Sequence, residues 1–385
     1  MRVYLTSLGC RLNAAEIEDL ARQVSGSGHE VVAEPDRADL IFFNSCAVTA
    51  GASRSTRHRV RALHRSSPNA DIVLLGCWAT EDQARARRLP GVRWVIPNTN
   101  KRSAVTEVLG TSDPLAPWAP GRWGHTRAFL GVQDGCDHAC TYCITQVLRG
   151  TARSTPLPDV VARVQSLVAS GAQEVVLTGV CLGAYGQDLR TSGSLTALAR
   201  AILRDTDLPR LRLSSIEPWD VSRELLALWE NPRLCRQLHL PPQSGSDTVL
   251  KRKGRRITVA AYLDLVDAAR AVQPEMALTT DLIAGFPGEM EADFDATMAI
   301  VERVGFSRLH VFPYSERAGT PAVRLSGRVP KSVRKMRARR LRKLEKRLGA
   351  AYRERALGKI LPVLWERRAD ASALWRGLTD TYLTV

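Results

Sequence analysis

The sequence predicts an α/β protein in three parts: a parallel βαβ domain, an open or partial barrel of six β/α units, and a short β segment at the carboxyl end. Three observations predict it. Short apolar runs alternate with helically spaced segments along the 385 residues, as buried parallel strands alternate with crossover helices. A cluster of Pro114, Pro117, Pro120, Gly121 and Gly124 divides the alternation into two series. After a strongly basic helical stretch, only short strand-like pieces remain.

In the first series (1–112), Val3–Leu8, Leu40–Asn44 and Ile72–Gly76 read as strands, with helices over Glu16–Ser25 and Arg54–Arg65. Residues 113–124 form a linker. The second series (125–357) offers strands at Ala128–Gln133, Glu174–Leu177, Leu211–Ser214, Gln237–Leu240, Leu278–Ala284 and Arg308–Phe312. Helices fall at Leu157–Ser170, Leu195–Arg204, Ser222–Glu230, Val259–Ala271 and Glu291–Val304. Six such units give a barrel whose reactive face is the carboxyl-terminal rim. Residues 331–347 hold ten Lys or Arg against the single acid Glu345, with Leu341, Leu344 and Leu348 at helical spacing. In 358–385, Ile360–Leu364 and Thr381–Val385 read as strand pieces, too short to close a barrel unaided.

Composition narrows the function. A formal net charge of +16 points to a polyanion, nucleic acid first. The basic helix is either a solvated face or a phosphate contact through Lys335, Arg339 and Arg342. No apolar run reaches the roughly 18 residues of a membrane span. The start, Met1-Arg2-Val3-Tyr4-Leu5, lacks a signal peptide's long apolar stretch. The expected location is the cytoplasm, where grouped thiols more often bind metal or do catalysis than form disulfides.

The cysteines carry the chemistry. Cys136, Cys140 and Cys143 form a C-x3-C-x2-C run. Three thiolates are one short of what a four-iron cluster needs, so one iron stays open to an outside ligand. Cys10, Cys46 and Cys77 each follow a predicted strand directly. Carboxyl ends of parallel strands share one sheet edge, so these three thiols converge as well. Cys181 and Cys235 fit neither trio and are read as packing residues; His239 is read as a core histidine.

The loop Gly135-Cys136-Asp137-His138-Ala139-Cys140-Thr141-Tyr142-Cys143-Ile144, followed by Arg149-Gly150 and Arg153-Ser154, resembles the radical S-adenosylmethionine signature of the methylthiotransferase family. Ser7-Leu8-Gly9-Cys10-Arg11-Leu12-Asn13, Asn44-Ser45-Cys46-Ala47-Val48-Thr49 and Gly76-Cys77 resemble that family's first domain. Residues 176–186, 211–218 and 243–247 look most like the branch that acts on threonylcarbamoyladenosine in tRNA. Departures are Gln146 in place of a proline, Pro242 in place of an apolar residue, and Lys253-Gly254 in a stretch usually written with methionine.

The resemblance implies a Rossmann-like first domain, a partial (β/α)6 radical core and a truncated, TRAM-like RNA-binding segment at 358–385. It implies two 4Fe–4S clusters, a radical one on Cys136, Cys140 and Cys143 and an auxiliary one on Cys10, Cys46 and Cys77. S-adenosylmethionine is the implied cofactor, tRNA the partner, and flavodoxin or ferredoxin the kind of electron donor. The implied reaction inserts a methylthio group at C2 of N6-threonylcarbamoyladenosine at position 37 of tRNA. An adenine C–H offers no acidic proton and no leaving group, so a cofactor-borne radical, not a side chain, must activate it. Close alternatives keep the reaction but change the substrate to isopentenyladenosine in tRNA or an aspartate of a ribosomal protein. A distant one is a non-catalytic, metal-containing RNA-binding protein, disfavoured because zinc usually takes four protein ligands.

Several residues admit two roles. Thr178, Gly179 and Gly183 leave backbone room for an adenosine or make a tight turn. Gln243, Ser244 and Ser246 bond ribose or methionine groups or supply loop polarity. Tyr142 packs on adenine or fills a core. Asp281 is a satisfied core acid or a polar contact near the cofactor. Arg149 and Arg153 meet phosphate or a substrate carboxylate, or form surface ion pairs. Residues 285–289 read as a turn that starts a helix.

Overall fold

The computed structural model describes residues 1–110, 115–120, 126–190, 193–368 and 374–385. The first domain is a five-stranded parallel sheet: β1 (Arg2–Ser7), β2 (Glu30–Val32), β3 (Leu40–Ser45), β4 (Asp71–Gly76) and β5 (Val92–Ile96), in the order β2-β1-β3-β4-β5. Every residue of β3 is buried because helices cover both faces of the sheet. Ile41, Phe43, Ile72 and Leu74 pack on one side, and Leu40, Phe42, Val73 and Leu75 on the other. Burying each such side chain contributes roughly 1.5–3 kcal/mol. The edge strands β2 and β5 carry no apolar run long enough to read from sequence. The first helix, Arg11–Gly26, begins immediately after Cys10. The second, Ala50–Ser66, is capped by the Thr49 hydroxyl, which accepts from the Ala52 amide.

The second domain is an open barrel. A four-stranded sheet runs β7-β6-β8-β9, built from β6 (Ala128–Asp134), β7 (Arg153–Ser154), β8 (Glu174–Gly179) and β9 (Arg210–Leu213), with β7 antiparallel at the edge. The parallel trio β10 (Gln237–His239), β11 (Ala277–Ala284) and β12 (Arg308–Pro313) continues it through bridges Leu211–Leu234 and Ser215–His239. Outward residues such as Leu130, Val132, Leu177 and Leu211 pack in a large core with the helices. The helix expected over 222–230 is one α turn, Arg223–Ala227, followed by a 3-10 turn, Leu228–Glu230.

The Arg11–Gly26 helix lies across the open side of the barrel. Ala15 packs with Phe129 and Val176. A Cβ on Gly131 would come 3.0 Å from Leu12, so glycine there lets helix and strand touch. Part of the expected linker lies outside the described residues. Its middle is tied to the same helix: Arg22 Nε donates to the Ala116 carbonyl at 2.9 Å, and Trp118 Nε1 donates to Glu18.

The carboxyl end forms a two-stranded antiparallel sheet, β13 (Val363–Arg368) and β14 (Trp375–Thr379). The run expected as a strand from Thr381 is instead a turn. Tyr382 sits at φ 69°, and the chain then folds back so that Gly377 and Val385 exchange hydrogen bonds. This segment docks under the barrel. Arg212 donates to the carbonyls of Thr379 and Asp380, and Arg236 pairs with Asp380 at 2.6 Å. Among the described residues, no helix is long and apolar enough to cross a membrane.

Candidate active site

The strand ends of the first domain bring Cys10, Cys46 and Cys77 together. A Cβ on Gly9 would lie 2.9 Å from the Cys46 Cβ, and Gly9 adopts φ +126°, so glycine is required where the two cysteine segments pass. Asn13 ties the segments: its Nδ2 donates to the Leu8 and Ser45 carbonyls, and the Cys10 thiol lies 3.4 Å from its Oδ1. Asn98 Nδ2 lies 3.6 Å from Cys77 Sγ. Burial raises the thiol pKa of Cys10, and that of Cys46 to about 11, with Cys77 reinforcing both. Three thiols that approach one another, two of them buried and Cys10 exposed at their edge, suit a metal centre whose positive charge would stabilise the thiolates.

The second trio lies in the loop after β6. Cys143 takes hydrogen bonds from the Thr145 amide and lies 3.0 Å from its hydroxyl. The Arg255 guanidinium is 3.8 Å from Cys140 Sγ. Burial pushes Cys140 up to about 11. Cys136 behaves oppositely: the neighbouring Cys181 thiol draws its pKa down, helped by the His138 amide. Cys181 is therefore not simple packing. It is buried, as expected, but its thiol faces Cys136, with His138 and Asp220 within 4.8 Å. Spacing along the chain could not reveal this, because the loop after β8 brings Cys181 in from 38 residues beyond Cys143. Cys235 stays in the core, 2% exposed. Three free thiols at each place are a donor set that fits iron–sulfur ligation.

The helical turn Thr145–Arg149 joins the two trios. Ile144 and Leu148 are part of the first domain's core, and Asn98 donates to the Leu148 carbonyl at 2.8 Å. Arg149 is 4% exposed, which corrects its reading as a surface or ligand-facing cation. Its guanidinium meets Asn13 at 2.7 Å, Glu16 at 2.9 Å and Asp134 at 2.8 Å. Burial pushes the Glu16 carboxyl up, but Arg149 and Lys101 outweigh it and hold it at about 2. Arg153 is half exposed and only loosely paired with Asp134 at 3.9 Å.

Beside Cys143 lies a cavity of about 170 Å³ lined by both domains. Val48 and Thr49 line it from the first domain, Tyr142, Cys143 and Ile144 from the cysteine loop, and Gln243, Asp281 and Phe312 from the barrel. Tyr142 meets Phe286 edge-on at 6.4 Å while lining this space. Gln243 sits at φ 74° with its Oε1 buried and unpartnered. A strained residue with an unsatisfied acceptor at a cavity wall is a typical ligand contact. Asp281 also lines the cavity, so its reading as a core acid is corrected.

Other candidates face elsewhere. Ser244 points at Thr297 and the Ser246 amide, and Ser246 caps the helix after it and bonds Asp293. A Cβ on Gly179 would lie 2.9 Å from Gln133 Oε1, and one on Gly183 2.4 Å from Asp220; both glycines admit side chains rather than a nucleoside. Thr178 is buried on β8 beside Gly131. Lys253 is fully buried and donates to the carbonyls of Gln243 and Ile283. Burial lowers its pKa to about 7. A basic face was missed. Arg54, Arg57 and Arg61, on the helix after Cys46, line a shallow groove with Ser7 and Leu8. Their spacing of three and four was the available signal.

Residues 2–96 match the family described as uncharacterized protein family UPF0004, and residues 130–301 match the radical SAM superfamily. The threonylcarbamoyladenosine tRNA methylthiotransferase MtaB of Thermotoga maritima is 39% identical, over 94% of this chain and 86% of that protein. The Bacillus subtilis protein of the same name is 32% identical, over all of this chain and 89% of its own length. A tRNA-2-methylthio-N(6)-dimethylallyladenosine synthase of Novosphingobium aromaticivorans is 34% identical, over 96% and 88%. Among solved structures, the radical S-adenosylmethionine methyltransferase TsrM of Kitasatospora setae superposes with TM-score 0.59 at 15% identity, covering 83% of this chain and 74% of that one. That likeness shows the fold.

Proposed function

The chain belongs to the radical S-adenosylmethionine methylthiotransferases, and from that premise we propose that it inserts a methylthio group at C2 of N6-threonylcarbamoyladenosine in tRNA. The observation that carries this reading is one cavity lined by both domains, with Cys143 of one three-cysteine site on its wall and Val48 and Thr49, just beyond Cys46 of the other, facing it. Cys136, Cys140 and Cys143 would hold the radical cluster, and Cys10, Cys46 and Cys77 the auxiliary one. When bound, the clusters and S-adenosylmethionine supply a carbon radical and a methylated sulfur.

The protein's own part is to position and to exclude. Tyr142, Ile144, Phe312 and Val48 give the cavity apolar walls; Val48 and Phe312 are exposed, and bound substrate covering them would shut out water. Gln243 offers its unpartnered Oε1 to a nucleoside or amino-acid donor. Arg149 locks the cysteine loop to the first domain, so that the two thiol sites keep a fixed separation. Lys335, Arg339 and Arg342 lie exposed on one side of the Lys331–Glu354 helix, and with Arg54, Arg57 and Arg61 would meet tRNA phosphates. A low-potential donor such as flavodoxin or ferredoxin would supply electrons, in the cytoplasm where tRNA is found.

Mass spectrometry of tRNA nucleosides from a strain lacking this gene, and no other methylthiotransferase, tests the substrate. The expected result is loss of 2-methylthio-threonylcarbamoyladenosine alone. Its persistence, or loss of the methylthio-prenyl nucleoside instead, overturns the assignment.

A further inference from the structure

Arg11 directly follows Cys10, and its guanidinium lies 5.2 Å from the centre of the Tyr382 ring. Two more arginines flank that ring, Arg127 and Arg212, and carboxylates hold both: Glu366 and Glu174. Among the described residues, Arg11 alone of the three has no carboxylate partner. A guanidinium stacked on a ring but otherwise unpaired is preset to receive a planar anion.

On the inner face of the barrel stand His239, Asp281 and His310, with ligating atoms all within 4.8 Å of one another. Their hydrogen bonds leave little place for a metal ion. Gln237 Nε2 donates to Thr279 Oγ1 at 3.1 Å, so the hydroxyl proton of Thr279 is directed to His239 Nδ1, 2.8 Å away. His239 Nε2 then carries the ring proton and turns it toward Asp281 at 3.3 Å. The chain of donors ends on a carboxylate that is one-third exposed and lines the cavity. His310 pairs in register with Asp281 on the next strand. Burial lowers its pKa against the pull of Asp281, and Arg11 is among the cations that add to this, so Arg11 is within electrostatic reach of the cluster. A neutral imidazole can both donate and accept.

We propose that Arg11, Asp281 and His310 form the receptor for an acidic, hydroxylated amino-acid substituent on the adenosine, with Arg11 taking its carboxylate. Asp281 and His310 take the hydroxyl and the urea-type N–H groups. The inference rests on the chain being a tRNA methylthiotransferase and adds how it selects its nucleoside. A threonylcarbamoyl group offers a carboxylate, a hydroxyl and N–H donors together; a prenyl group offers none. Left without partners, these part-buried polar groups would disfavour an apolar substituent, which gives selection. Because Arg11 adjoins Cys10, holding the substituent there also holds the base beside the thiols assigned to the sulfur source.

The test uses the full chain with both clusters reconstituted. Anticodon stem-loops would carry threonylcarbamoyladenosine, its carboxylate methyl ester, or isopentenyladenosine. Binding is read by fluorescence anisotropy and product by mass spectrometry. Wild type should bind the free acid about tenfold or more tightly than the ester, the size of one charge-assisted contact. Arg11→Gln should erase that difference while keeping its iron content, and Arg11→Lys should restore part of it. Equal handling of acid and ester by wild type, or undiminished discrimination by Arg11→Gln, overturns the receptor. Because the acid–ester comparison uses unaltered protein, it stands even if the variants do not fold. Conversion of only the isopentenyl stem-loop would overturn the substrate assignment itself, a separate result.

Discussion

Arg149 shows how much one side chain can decide. It is buried between Asn13, Glu16 and Asp134, which come from both domains. Replacing it with Met leaves Glu16 and Asp134 without their main cation, and removing one partner of a buried pair costs about 3–5 kcal/mol. We expect Arg149→Met to lower the urea midpoint accordingly. Glu16 gives the network an acid limit. Its folded pKa, about 2, lies below its ordinary 4.5, so its contribution is present above that value and is lost as pH falls from 4.5 toward 2. Lys253 has the opposite sign. Its pKa falls from 10.5 to about 7, so between those values the unfolded chain binds more protons and wild-type stability rises with pH. Anaerobic urea unfolding of Lys253→Met should therefore show the comparison with wild type moving in wild type's favour across that range. An unchanged difference would mean that Lys253 is not the desolvated, proton-poor amine described. Neither residue was legible as such, because a buried Arg or Lys is explained by partners distant in sequence.

At the level of the element, the basic helix Lys331–Glu354 has two characters. Leu341 and Leu344 join the barrel core, as their spacing predicts. The ten cations do not act alike. Arg334, Arg337, Arg340 and Arg347 pair with Glu316, Glu289, Glu291, Asp295 and Glu302, so part of the apparent phosphate stripe is structural. Lys335 and Arg339 remain exposed, and Arg342 donates one bond to the Val311 carbonyl. Reversing Lys335, Arg339 and Arg342 to Glu should reduce the slope of log affinity against log salt by about 2–3, at roughly 0.7–0.9 per phosphate contact. An unchanged slope would make the helix a solvated face. The strands of the barrel were legible almost to the residue, since each is a short apolar run with a buried outer face. The edge strands β2 and β5 were not, because only one neighbour and one face support them. The carboxyl-terminal sheet was misplaced because its pairing depends on docking beneath Arg212 and Arg236.

Across the whole molecule, the convergence of Cys10, Cys46 and Cys77 could be read from sequence because parallel strands put their carboxyl ends on one edge. What could not be read is how the first domain meets the barrel. The Arg11–Gly26 helix across Gly131, the Arg149 network and the shared cavity are tertiary facts. The same applies to Cys181 beside Cys136 and to Arg11 over Tyr382.

The central claim is that two three-cysteine sites with separate duties serve one cavity. It is tested most directly by assaying Cys46→Ala and Cys140→Ala anaerobically with S-adenosylmethionine, reductant and a threonylcarbamoyladenosine stem-loop. Wild type should hold about eight irons and form both 5′-deoxyadenosine and the methylthio product. Cys46→Ala should keep deoxyadenosine formation and lose the product, and Cys140→Ala should lose both. Methylthio product from Cys46→Ala, or a wild-type protein that holds only about four irons at full activity, would contradict the account.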